Sequence, residues 1–111
     1  TADTNVPYDG GRGEDSRTRT EFSSVASVVK AFLAPWGSVR AETGRTIDRK
    51  DDGTSVVITD YRKGGRVVLR LVTIEGGAHH WPGGRKARKS EGGTQEIDGN
   101  AEILRFFAAN P

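Results

Sequence analysis

Apolar residues recur at helical spacing between Ser23 and Ala34, where Val25, Val28, Val29 and Phe32 form a stripe that Phe22 and Leu33 widen. Thr20 or Ser23 is placed to cap this helix and Pro35 to end it. The pattern then shifts to β-branched runs. Ser55 to Tyr61 (SVVITDY) and Arg66 to Ile74 read as two strands, joined by the compact reversal Arg62-Lys63-Gly64-Gly65. The pair predicts an antiparallel hairpin entered through the turn signal Asp51-Asp52-Gly53. Near the end, Asp98 is a good N-cap for a last helix in which Ala101, Leu104, Phe107 and Ala108 share a face. Asp9 to Arg19 is a polar, glycine-rich loop, and Trp36 to Lys50 a connector with little pattern, anchored by Val39 and Ile47. The expected order is loop, helix, hairpin, loop, helix.

Composition narrows the class. A chain of 111 residues, 33% hydrophobic and with 15 glycines, makes one loop-rich domain with a modest core. No apolar run approaches the roughly 20 residues that span a bilayer, and no charged-apolar-small signal opens the chain. The sequence starts at Thr1, so it reads as mature, processed or cut from something longer. A net charge of +2 is close to balanced despite a pI of 9.2, which argues against a nucleic-acid surface. Without cysteine, disulfides and thiolate metal sites are excluded.

Candidate chemistry gathers in one stretch, Gly76-Gly77-Ala78-His79-His80-Trp81-Pro82-Gly83-Gly84. It holds both histidines and one of the two tryptophans, and it follows the most apolar strand. A reactive imidazole needs a carboxylate on one ring nitrogen to hold its tautomer. Asp3, in the loop that opens the chain, is the candidate if adjacent parallel strands bring the two loops to one sheet edge. Three other features carry less. Gly10-Gly11-Arg12-Gly13 lacks the spacing of a phosphate-binding fingerprint. The basic run Arg85 to Lys89 could neutralise phosphates, but it has no interleaved aromatics and reads as a solvated loop. His79 and His80 are adjacent rather than three or four apart, so no metal site is expected.

TADTNVPYDGG, then GGAHHWPGG, then IDGNAEILRFFAANP together resemble the C-terminal third of a polyhydroxybutyrate depolymerase-type esterase. These enzymes sit in the α/β-hydrolase superfamily with secreted feruloyl and acetylxylan esterases. There an HGTAD-x-x-VPY segment carries the triad acid and a GG-x-H-x-WPGG segment the triad histidine. The resemblance spans essentially residues 1–111 and implies the C-terminal part of an α/β-hydrolase fold with an incomplete sheet. It implies Asp3 as the acid, His79 as general base, Trp81 and Tyr8 as substrate-contacting residues, and His80 as a variable position. It also implies an ester substrate, either an aliphatic polyester such as poly(3-hydroxybutyrate) or a short acyl or feruloyl ester. No cofactor or metal is implied, no nucleic-acid or membrane partner, and the location is secreted.

The departure from that pattern is the nucleophile. No G-x-S-x-G elbow surrounds Ser16, Ser23, Ser24, Ser27, Ser38, Ser55 or Ser90. The elbow, the oxyanion loop and the rest of the hydrolase domain are therefore expected upstream, and these residues alone are expected to be inactive. With apolar surface uncovered, several hundred Å² at roughly 25 cal/mol per Å² forgoes about 10 kcal/mol, so the isolated piece is expected to be marginally stable. The alternative is a non-catalytic fragment or a small α+β binding module.

Overall fold

The computed structural model describes residues 1–85 and 93–111. Two short strands, β1 (Gly11–Arg12) and β2 (Glu21–Phe22), form a small antiparallel pair. Helix α1 (Val25–Leu33) follows and tightens into a 3₁₀ turn at Ala34–Trp36. The main sheet has three strands, β3 (Arg40–Ile47), β4 (Ser55–Lys63) and β5 (Arg66–Glu75), in the order β3-β4-β5. Helix α2 (Gly99–Ala109) closes the chain.

The α/β-hydrolase expectation is overturned. Among the described residues both sheets are antiparallel throughout, and no strand alternates with a helix inside one sheet. The cause lies in the connections. Parallel neighbours need a crossover of about a dozen or more residues, whereas β3 reaches β4 through the turn at 48–54 and β4 reaches β5 through Gly64-Gly65. Gly64 sits at φ +57°, the left-handed conformation that two-residue hairpin loops require. The hairpin follows its expected limits closely, with Lys63 opposite Arg66 and Val56 opposite Ile74.

Strand β3 was expected to be a patternless connector. It is an edge strand whose first seven residues are exposed, so no apolar alternation marks it. Its pairing with β4 carries a bulge between Thr43 and Thr46. Helix α1 starts one residue later than Ser23 allows: Ser24 is the N-cap, and its Oγ accepts from the Ser27 N–H at 3.1 Å. Val25, Val29 and Leu33 turn toward Tyr61 and Leu71 of the sheet, while Phe32 is 68% exposed.

On the other sheet face the strands carry charge. Glu42, Asp60 and Arg70 lie opposite one another across β3, β4 and β5. The Arg70 guanidinium donates to both Asp60 oxygens, Nε at 2.7 Å and Nη2 at 2.9 Å. Arg62 donates to Glu42 at 3.0 Å and lies 3.5 Å from Asp60, so it relieves the repulsion between those two carboxylates. The Arg70 hydrogen bonds outweigh partial burial and, with the charges of Arg70 and Arg62, hold Asp60 below the usual carboxylate range.

The same guanidinium lies 5.9 Å from the Phe106 ring centroid and docks α2 on β5. Asp98 caps α2 as expected, accepting from the Ala101 N–H at 3.0 Å. Its apolar face is not the expected one. Glu102, Ile103, Phe106 and Phe107 line a cleft with Arg70 and Val72, Phe107 at its rim with 65% of its surface exposed, while Leu104 is 70% exposed. The ion pair on β5 selects the helix edge that packs. Only Val56 and Val67 are buried apolar side chains among the described residues, so the core is small.

Candidate active site

The site forms where the opening loop meets the end of β5. No parallel strand pair brings them together, which corrects that part of the sequence reading. Instead the backbone of residues 1–2 is stitched onto the strand's end. The Thr1 nitrogen donates to the Ile74 carbonyl at 2.6 Å, and the Ala2 N–H to the Gly77 carbonyl at 2.9 Å. The Gly76 N–H returns a bond to Thr1 Oγ1 at 3.0 Å. The far side of the histidine loop is tied down separately. Asp52 accepts from the N–H groups of Thr54 and Gln95 at 2.9 and 2.7 Å, and the Thr54 and Thr94 hydroxyl oxygens lie 2.6 Å apart. Glu96 accepts from the Arg49 and Lys50 N–H groups. The loop is thus clamped on both flanks by the β3–β4 turn and the opening segment.

Within that frame Asp3 and His79 meet, 76 residues apart in sequence, with Nδ1 and Oδ2 at 2.9 Å. Asp3 Oδ1 accepts from the N–H groups of Asn5 at 2.8 Å and Val6 at 2.9 Å. Partial burial pushes the Asp3 carboxyl up. The hydrogen bonds from Val6, His79 and Asn5 and the charge of His79 outweigh it and hold the group below its ordinary range. An ionised carboxylate can only accept, so Nδ1 carries the hydrogen, and in the neutral imidazole Nε2 is left to present its lone pair. The imidazole is 60% exposed and the carboxylate 23%. The Asp3 clamp was missed in the sequence, although an Asp followed two residues later by an N–H is the pattern of an Asx turn.

The other expected residues separate. Tyr8 lines the same groove as Asp3, with Val6, Phe22, Val25, Ile74 and Ala78, and its hydroxyl lies 3.4 Å from Thr73 Oγ1. That groove has a volume of about 550 Å³. Trp81 points elsewhere: its indole covers Gly99 at the start of α2, where a Cβ would come within 3.2 Å of the ring. His80 Nδ1 bonds the Trp81 carbonyl at 2.9 Å and its ring packs on Gly93, so it braces the loop. Of the basic run, Lys86, Ala87, Arg88 and Lys89 lie outside the described residues, as does Ser90. Among the described residues no group of three or more histidine, aspartate or glutamate side chains could hold a metal ion, no helix is long and apolar enough to cross a membrane, and no hydroxyl bonds Nε2 of His79.

The depressed Asp3 sets a pH dependence. Its folded value lies below 3.8, the ordinary one, so its contribution to stability is complete above about pH 4 and fades as pH falls through the folded value. Urea unfolding of the parent and Asp3→Asn should show the parent more stable at pH 6, with the gap closing below about pH 4. A gap that persists unchanged at pH 2 would contradict the clamp.

Comparison of the chain with protein-family models, with curated proteins and with solved structures finds no match. The geometry itself therefore carries the functional reading.

Proposed function

We propose that residues 1–111 carry the acid–base pair of a carboxylic ester hydrolase of the polyhydroxybutyrate depolymerase or feruloyl esterase type. The observation that carries it is the Asp3–His79 contact, with the carboxylate held by two backbone N–H groups and the outer imidazole nitrogen open. Nε2 of His79 takes the proton from a serine hydroxyl as it attacks the ester carbonyl, then gives it to the departing alkoxide. Asp3 keeps the proton of neutral His79 on Nδ1 and stabilises the imidazolium between the two transfers. The serine is supplied from outside these residues, so they alone do not turn over ester.

The motif resemblance supports the substrate class, an aliphatic polyester such as poly(3-hydroxybutyrate) or a short acyl or feruloyl ester, and a secreted location. The apolar groove beside Asp3 suits an acyl chain, with Tyr8 on its wall. Trp81 joins the substrate surface only if the loop moves it off Gly99. The test is hydrolysis of p-nitrophenyl butyrate by a polypeptide that contains these residues together with the nucleophile. Asp3→Asn should lower kcat by about 10⁴ by favouring the wrong tautomer. An unchanged kcat would overturn the reading.

A further inference from the structure

Two apolar cavities meet at Tyr8. The first is the groove already given to the acyl chain; Asp3 and Ala78, the partner and the neighbour of His79, both line it. The second, of about 590 Å³, lies between α1 and the sheet, walled by Val29, Leu33 and Tyr61. Both volumes fall in the range of natural ligand pockets. Lys30 is the one charged side chain lining the second cavity among the described residues, and a lysine stem covers apolar surface while its ammonium stays in water. Three residues line both cavities, Tyr8, Val25 and Leu71. Tyr8 is the largest of the three and the only one outside a helix or strand.

Although it sits in a loop, Tyr8 is held at both ends. Its carbonyl accepts at 2.9 Å from the N–H of Val25, the first residue of α1. Its hydroxyl lies 3.4 Å from that of Thr73 on β5. The turn behind it is tight: the Gly10 N–H donates to the Pro7 carbonyl at 3.0 Å, and a Cβ at Gly10 would come within 2.7 Å of the Ser24 nitrogen. The ring therefore spans from helix to strand, across the passage between the two cavities.

We propose that Tyr8 is the septum that sets the longest acyl chain the site accepts. The acyl tail runs from the ester carbon at His79 along the groove and stops against the Tyr8 ring. Beyond the ring lies a second cavity as apolar as the first, closed to the tail while the ring stands between them. A pocket discriminates chain lengths by the methylenes it can cover, and each one covered or refused changes the rate severalfold or more. This deepens the ester-hydrolase reading and rests on it.

Two experiments test it. The first reads kcat/KM for p-nitrophenyl esters from acetate to dodecanoate, in the polypeptide that contains these residues together with the nucleophile. The parent should gain with each methylene until the chain meets Tyr8, then level off. A buried methylene is worth about fourfold. Tyr8→Ala, by admitting roughly two further methylenes, should raise kcat/KM for the longer esters at least about tenfold relative to butyrate. Tyr8→Phe keeps the ring and should keep the parent's profile. Adding Val29→Phe to Tyr8→Ala fills the second cavity and should remove the gain. If Tyr8→Ala does not fold, Tyr8→Leu, shorter but still apolar, is read in the same way. The second experiment needs no turnover: it follows the methyl NMR signals of this chain with methyl octanoate, which these residues alone do not hydrolyse. In the parent Val6 and Ala78 should shift while Val29 and Leu33 do not; in the Tyr8→Ala variant all four should. The same chain-length profile in the parent and the shortened variants, or Val29 and Leu33 shifting in the parent, would overturn the septum and leave the ester-hydrolase reading standing. No hydrolysis of any ester would overturn that reading, and the septum with it.

Discussion

Alanine in place of His79 is expected to lower kcat for ester hydrolysis by about 10⁴-fold or more, with KM little changed. In the proposed reaction the imidazole performs both proton transfers, and His80 is no second base at its position: it turns its Nδ1 to the Trp81 carbonyl at 2.9 Å and its ring onto Gly93. His80→Ala should accordingly cost less than about tenfold in kcat for the folded protein, since bracing a loop is not proton transfer. The two histidines are neighbours in sequence but differ in partner, so the pair of variants is internally controlled. The measurement is the initial rate with p-nitrophenyl butyrate, in a protein that supplies the serine. Equal losses from both variants would mean that the loop's shape matters and not the imidazole of His79.

Gly13→Ala should be among the most destabilising single changes in the chain. A Cβ at Gly13 would lie 2.1 Å from the Asn5 carbonyl oxygen and 2.8 Å from that of Thr4. Both are backbone atoms and cannot swing aside. The Asp15 N–H also bonds the Thr4 carbonyl at 3.1 Å, which holds the two segments together. Overpacking of this kind costs about 3 kcal/mol, a shift of more than roughly 10 °C in Tm for a domain of this size. The damage reaches the site, because Asn5 and Val6 are the residues whose N–H groups clamp Asp3. Gly65→Ala is the control, since a Cβ there meets nothing and its φ is not in the left-handed region. Thermal unfolding of the two variants should separate them clearly. Similar melting temperatures would show that the opening loop is not packed on Gly13 as described.

The fold was legible where local chemistry and tertiary packing agree. Local patterning by itself determined the hairpin of β4 and β5, because β-branched runs bracket a glycine pair, and the cap of α2, because an aspartate precedes the helical stretch. The reactive residue types are visible as well, a carboxylate in the opening loop and an imidazole between glycines, but their pairing as Asp3 with His79 rested on the motif resemblance and not on local pattern. Tertiary structure alone decided the rest. β3 is an edge strand with polar residues on both faces, so only its partner reveals it. The exposed side of α2 follows from Arg70, an ion pair on a different element, which overrides the helix's own apolar spacing. The parallel sheet implied by resemblance gives way to antiparallel pairing because the connections at 48–54 and Gly64-Gly65 are too short for a crossover. Asp3 and His79 nevertheless meet, drawn together by backbone bonds from Thr1 and Ala2 to Ile74 and Gly77. Such bonds use groups that every residue possesses, and for that reason side-chain pattern cannot announce them.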